Sequence, residues 1–376
     1  MRRENVQDQD EVAEDGEPAA LFADCTAGAA ADRNGAKNAG GTAKDLTQVV
    51  SQAASKVVAF KFGGSSLLGA ERMIHAAGLV SDASRRCRVT VVVSAMKGVT
   101  DRLLVMAQAL TVGKLSGARR EAEFLVDLHL DVLQALRLED AQELRVRREL
   151  QLLARDLLHE VPASGRVEGS PEFFDRLASF GERWCARLFA AALQKCGIPA
   201  VPVASSDFVL TCDTFCDAQP HLQQSKHRGR EILLPLLRAG IVPVVTGFIG
   251  ATPDGRITTL GRNSSDFSGA IVAHVVDAEE LVIWTDVDGI FTANPNESAE
   301  ARLLHELSYE EAHALAAGGA KVLHAKVLPL VAETEMIVWV RNTFNPQAPG
   351  TRIASRRALG NSRLHFSEPA SQGGVA

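Results

Sequence analysis

Short, nearly uninterrupted apolar runs recur along the chain at Val57–Phe62, Val89–Ser94, Ala200–Ala204, Ile241–Phe248, Leu281–Trp284 and Met336–Val340. Runs of this length without polar alternation suit strands covered on both faces, the usual condition of a parallel sheet. Between them, apolar residues return every three or four positions, as in helices that bury one face. Strand–helix alternation of this kind predicts an α/β layered fold. The longest helical stretch, Arg119–Val161, carries one stripe at Leu125, Leu128, Val132 and Leu136 and a second at Val146, Leu150, Leu153 and Leu157. A break near Leu138–Asp140 predicts two helices, packed on the sheet or on a partner subunit. A further helix over Pro171–Cys196 places Phe173, Leu177, Phe180, Trp184 and Leu188 on one face. Glu182 falls on the other face, among the small residues Ala178, Ser179, Cys185 and Ala186. That face leaves room for a ligand bearing an ammonium group, and a plain exposed glutamate fits equally well.

The ends break this pattern. Met1–Val50 holds ten Asp/Glu against five Lys/Arg, with few periodic apolar positions. Residues 1–55 are therefore expected to be a disordered acidic extension, 56–353 the folded domain, and 354–376 a disordered polar tail. The extension lacks the apolar core of a secretory signal. In the 376-residue chain as a whole, 46% of residues are hydrophobic and 23% charged, which suits a sizeable core. No apolar run approaches the ~18 residues of a spanning helix, so no membrane association is expected. A net charge of −6 argues against nucleic acid as a partner, and one Tyr with three Trp argues against a base-stacking platform. Cys25, Cys87, Cys185, Cys196, Cys212 and Cys216 contain no CxxC pair, so no metal site is expected. Reduced thiols point to a cytoplasmic protein.

Four strand ends carry chemistry. Lys61-Phe62-Gly63-Gly64-Ser65-Ser66 places a lysine and two glycines where ligands bind in open α/β sheets. Ala70 and Glu71 stand where a Walker A loop needs Lys and Ser/Thr, so this is a different phosphate-binding turn or a plain tight turn. Ser94-Ala95-Met96-Lys97-Gly98-Val99-Thr100-Asp101 is a second small, hydroxyl-bearing loop before a helix. In Gly261-Arg262-Asn263-Ser264-Ser265-Asp266, either serine can cap the helix that follows, while Arg262 supplies a forked donor for a carboxylate. Thr285-Asp286-Val287-Asp288-Gly289 could hold a nucleotide, orient water around Mg²⁺, or simply make a turn.

Taken together, K-F-G-G-S-S at Lys61, V-V-S-A-M-K-G-V-T-D at Val92, G-E-R-W at Gly181 and T-L-G-R-N-S-S-D-F-S at Thr259 resemble the aspartate kinases of the amino-acid kinase family. W-T-D-V-D-G-I-F at Trp284, G-A-K-V-L-H at Gly319 and N-P-Q-A-P-G-T-R-I at Asn345 extend the resemblance. It implies a three-layer αβα sandwich with a mainly parallel central sheet. It also implies ATP- and Mg²⁺-dependent phosphorylation of the L-aspartate side-chain carboxylate to 4-phospho-L-aspartate, at the start of lysine, threonine and methionine synthesis. An aspartate side chain with a pKa of ~3.9 is already ionised at neutral pH, so such a reaction needs charge neutralisation rather than a general base.

By the same resemblance, Lys61 bridges the phosphoryl group in flight and Asp266 orients Lys61. Gly63, Gly64, Ser65 and Ser94 contact phosphates. Thr100, Glu182, Arg262 and Ser265 hold aspartate, with Glu182 facing its ammonium. Thr285, Asp286, Phe291, Asn296 and Lys321 line the nucleotide pocket. Departures from the family pattern fall at Asn263, Ser264 and Phe267, and at Phe291, Asn294 and Asn296, the last replacing an arginine. Asn296 and Ser264 motivate a competing reading as a catalytically silent regulatory paralogue, beside a kinase for another amino-acid carboxylate. The 23 residues from Ala354 to Ala376 are too few for the ACT domain that aspartate kinases commonly carry. The expectation is a homodimer, with control exerted, if at all, through a separate ACT-bearing subunit.

Overall fold

The computed structural model describes residues 56–293, 298, 300–317, 323–324 and 326–359. In chain order its strands are β1 (Val57–Phe62), β2 (Arg88–Val93), β3 (Ala200–Val203), β4 (Val242–Thr246), β5 (Ile249–Ala251) and β6 (Ile257–Thr259). There follow β7 (Glu280–Thr285), β8 (Ile290–Phe291), β9 (Leu303–Leu304), β10 (Glu306–Ser308), β11 (Ile337–Asn342) and β12 (Thr351–Ala354). The helices are α1 (Ala70–Ser84), α2 (Val99–Thr111), α3 (Leu115–Leu136), α4 (Asp140–His159), α5 (Pro171–Ala178) and α6 (Phe180–Lys195). The remainder are α7 (Leu222–Arg238), α8 (Ser265–Val275), α9 (Tyr309–Ala317), α10 (Val327–Glu333) and α11 (Arg356–Leu359).

Eight strands form one sheet in the order β10-β12-β11-β7-β1-β2-β4-β3. The six from β11 to β3 are mutually parallel, while β12 lies antiparallel to β11 and β10 follows β12. Side chains alternate across this sheet. Val58, Phe60 and Phe62 of β1 pack with α1, α2 and α6 on one face. Ala59 packs on the other face against Ile271, Val272 and Val275 of α8, in a layer completed by α7, α9 and α10. The three-layer αβα architecture and mainly parallel sheet are those expected. Lys61 shares the Ala59 side, so strand alternation alone aims it toward the start of α8.

The two predicted long helices are α3 and α4, with Arg137 in a left-handed conformation between them. They bury the expected stripes, but against α2 and α6 rather than against the sheet, forming an extra outer tier. The helix expected over Pro171–Cys196 is interrupted at Ser179, whose hydroxyl donates to the Arg176 carbonyl at 2.7 Å. Its second half is buried all round, because α6 is sandwiched between the sheet and the α3–α4 tier. At the carboxyl end, β12 runs through the fully buried Ala354 and α11 follows, so regular structure continues past the expected tail boundary. Residues 1–55 and 360–376 lie outside the described residues. Among those described, no helix is long and apolar enough to cross a membrane.

Candidate active site

Loops leaving β1, β2 and β4 and the amino end of α8 enclose a cleft of about 530 Å³ at the carboxyl edge of the parallel strands. The chain leaves β1 for β2 on one side, while β7 flanks β1 on the other, so the cleft sits at a topological switch point. Lys61, at the last turn of β1, places Nζ 2.7 Å from Asp266 Oδ1. Both belong to the cleft lining, and the lysine is only 8% exposed. Gly63, Gly64 and Ser65 continue from it into a 3₁₀ turn. Among the described residues, the Gly64 and Ser65 N–H groups meet no backbone carbonyl. A Cβ on Gly64 would stand 2.5 Å from the Ala95 carbonyl oxygen, so glycine is what lets the first two loops touch.

Glu182 forms the floor. Only 3% exposed, it accepts a hydrogen bond from the Ala95 N–H at 3.0 Å through Oε1, while Oε2 has no partner. Burial pushes its pKa up to about 8, against the Ala95 hydrogen bond and the nearby Lys61 charge, which pull it down. The same loop approaches α6 closely: a Cβ on Gly181 would meet the Ala95 Cβ at 2.6 Å. A buried carboxyl with one oxygen unpaired would gain from an ammonium partner, which compensates its charge when it ionises.

Asp175 builds the adjoining wall. Its Oδ2 accepts from the N–H groups of Cys216 and Thr259, each at 2.8 Å, and its Oδ1 accepts the Thr259 hydroxyl at 2.6 Å. Burial raises its pKa and these hydrogen bonds oppose the rise. One carboxylate thus ties α5, the 212–217 loop and β6 together under the cleft. Phe248, also in the lining, has φ of 67° and donates its N–H to Ser268 Oγ at 2.7 Å. A bulky side chain held at positive φ is a strained position.

At α8, Ser264 is the N-cap residue, yet neither it nor Ser265 caps the helix through its side chain. Among the described residues, the N–H groups of Ser265, Asp266 and Phe267 also meet no backbone carbonyl, leaving the positive helix end open to the cleft. Arg262 stands at the mouth, exposed, with Nη2 2.7 Å from Asp101 Oδ1.

The Amino acid kinase family model matches residues 56–342. The chain belongs to the amino acid kinase family. Lysine-sensitive aspartokinase 3 of Escherichia coli (strain K12) is 32% identical over 303 residues, covering 80% of this chain and 65% of that protein. Aspartokinase 2, chloroplastic, of Arabidopsis thaliana is 33% identical over 328 residues, covering 86% of this chain and 57% of that one. The crystal structure of E. coli aspartokinase III in complex with aspartate and ADP superposes with a TM-score of 0.71 at 30% identity, over 80% of this chain and 65% of that chain. This amino acid kinase chain therefore spans about two thirds of the E. coli relative and little more than half of the Arabidopsis one.

In this family member the cleft gathers most of the residues singled out in the sequence. Lys61, Gly63, Gly64, Ser65 and Ser94 line one side, and Thr100, Glu182, Arg262, Ser265 and Asp266 the other. Thr285, Asp286 and Phe291 do not line it. Thr285 ends β7, where the Thr343 N–H donates to its carbonyl at 2.8 Å, and Phe291 pairs with Leu303 in the β8–β9 hairpin. Asn296 and Lys321 lie outside the described residues. Of the two readings left open for Glu182, its burial removes the plain exposed glutamate, and the serines do not cap α8 through their side chains. Lys97, Asp175, Cys216 and Phe248 also line the cleft and were not singled out. Lys97 was visible within the second motif. Asp175 carries no sequence signal, because its partners lie 41 and 84 residues further along the chain.

Proposed function

We propose that this chain transfers the γ-phosphoryl group of ATP to the side-chain carboxylate of L-aspartate, giving 4-phospho-L-aspartate and ADP. A carboxylate oxygen forms the new P–O bond, the bond to the β-phosphate's bridging oxygen breaks, and no proton has to move. The observation that carries this reading is the placement of Lys61 between a turn suited to anions and a carboxyl suited to an ammonium, in one cleft. On one side lie the free amides of Gly64 and Ser65; on the other lies Glu182 with its unpaired oxygen. Similarity to aspartokinases over most of the chain supports it.

In this scheme the 63–65 turn and the open end of α8 take the phosphates, and Lys61, aimed by Asp266, follows the charge of the transferring group. Glu182 Oε2 takes the aspartate ammonium, and Arg262 exchanges Asp101 for the α-carboxylate. Ser65, Ser94, Thr100 and Ser265 contribute hydroxyl contacts, while Thr285, Asp286, Phe291, Asn296 and Lys321 are assigned to nucleotide binding. Among the described residues no group of three His, Cys, Asp or Glu side chains is placed to hold a metal ion. Mg²⁺ in this scheme enters on the phosphate oxygens of MgATP, as part of the substrate. The reading extends to a cytoplasmic homodimer serving lysine, threonine and methionine synthesis, with an ACT-bearing subunit as a candidate regulator.

The test is an assay with ATP, Mg²⁺ and hydroxylamine, which traps an acyl phosphate as its hydroxamate. Hydroxamate from L-aspartate, and not from glutamate or N-acetylglutamate, is expected. Product from another acceptor alone would reassign the substrate, and none from any acceptor would favour the silent-paralogue reading.

A further inference from the structure

A second cavity, of about 370 Å³, opens at the opposite edge of the sheet, where β2 and β4 begin. Its lining carries Arg85, Arg86, Arg88 and Arg238, and no carboxylate. Arg85 has Asp82 at 3.8 Å, whereas Arg86, Arg88 and Arg238 form no ion pair or side-chain hydrogen bond among the described residues. Lys56, with Glu279 and Glu280, makes a separate ion-paired group on the β1–β7 side and does not line this cavity.

The ends of α1 and α7 point into the same region and explain part of this charge, since cations complement a helix C-terminus. Each end is worth roughly half an elementary charge. Two helix ends and Asp82 together offset about two of the four guanidinium charges. About two positive charges remain without a counterpart. The backbone is already satisfied: the N–H groups of Arg86 and Cys87 reach Ala83, that of Arg88 reaches Lys56, and those of Gly240, Ile241 and Val242 reach Leu237, Leu236 and Pro199. What lacks a partner within the protein, among the described residues, is the donor capacity of Arg86, Arg88 and Arg238, together with the buried Ser84 hydroxyl. Recognition here must come from guanidinium forks, which match oxyanions two oxygens at a time. The cavity falls at the small end of ligand pockets, sufficient for a compact molecule.

We infer that this arginine-lined cavity binds a small polyanion carrying two or more phosphate or carboxylate groups, at a site separate from the cleft. Its remoteness from Lys61 makes it independent of the proposed reaction, so either idea can fail without the other. The test is calorimetric titration of the full chain with inorganic pyrophosphate and, in a second arm, with citrate. Each arm is run on wild type, on Arg86→Gln/Arg238→Gln, and on Lys61→Met. A binding event that persists in Lys61→Met and weakens at least tenfold in the double arginine variant supports the inference. Preference between the two probes then identifies the phosphate or the carboxylate class. Arg86 and Arg238 are exposed, so the double variant should keep the wild-type melting temperature, which is measured alongside. Binding lost in Lys61→Met but retained in the arginine variant, or no binding by either probe, overturns it.

Discussion

Replacing Glu182 with glutamine separates what its charge does from what its shape does. Glutamine keeps an acceptor for the Ala95 N–H but cannot ionise. In the wild type, burial raises the Glu182 pKa from 4.5 to about 8, so the folded state holds a proton that the unfolded chain has lost. Stability contributed by this group is therefore intact below pH 4.5 and declines as pH rises toward 8. At 1.36 kcal/mol per pH unit, the decline has an upper bound of about 5 kcal/mol. Glu182→Gln escapes it, so its melting temperature should exceed that of wild type by a margin that grows from pH 5 to pH 8. Substrate binding should respond in the opposite sense. An ammonium needs the carboxylate, and at pH 7 the empty site is protonated by about ten to one. Aspartate should then release about one proton on binding, and its affinity should rise about tenfold per pH unit below 8. In Glu182→Gln the pH slope should vanish and KM for aspartate should rise on the order of 10²-fold, as when one partner of a buried charge pair is removed. Calorimetry in two buffers of different ionisation enthalpy counts the protons, and melting scans without ligand follow the stability. A wild type that binds aspartate with no proton release, or a variant with unchanged KM, would refute the assignment of Glu182 to the ammonium.

Other expectations follow from the same geometry. Lys61→Met should lower kcat on the order of 10³–10⁵-fold while leaving the circular dichroism spectrum unchanged; retention of more than about a tenth of turnover would remove Lys61 from the transition state. Gly64→Ala drives a Cβ to 2.5 Å from the Ala95 carbonyl, so steady-state kinetics should show KM for ATP raised together with a lower melting temperature. Asp175→Ala strands two N–H groups and one hydroxyl, and denaturant titration should show a loss of about 2–4 kcal/mol.

Most of the framework was legible because its strands are central. β1, β2, β4 and β7 lie inside the sheet and are covered on both faces, and continuous apolar runs mark them within a residue or two. β3 at the margin and the half-covered β11 were found from their apolar runs alone. β10 and β12 were missed for the converse reason: three and four residues long, at one margin of the sheet and partly polar, they carry no period to detect. Ten of the expected site residues meet because strand ends and helix starts are where motifs of Gly, Ser and Lys are readable. The burial of Glu182 was not readable, since it depends on the loop after β2 closing onto α6, a contact between segments almost ninety residues apart. Asp175 was hidden altogether, its partners being a loop and a hairpin distant in the chain.

The position of β1 also bears on how the molecule is made. β1 pairs with β2 soon after it in the chain, but its other neighbour is β7, more than two hundred residues later. At ribosomal rates of roughly 5–20 residues per second, that interval lasts roughly 10–40 s. Through it Val57–Phe62, five of whose six residues are apolar, presents an open hydrogen-bonding edge. Nothing local can cover that edge, because its natural partner has not yet been synthesised. The nascent chain thus presents an unpaired edge at the strand that will carry Lys61, and a ribosome stalled before Glu280 would hold it in that state.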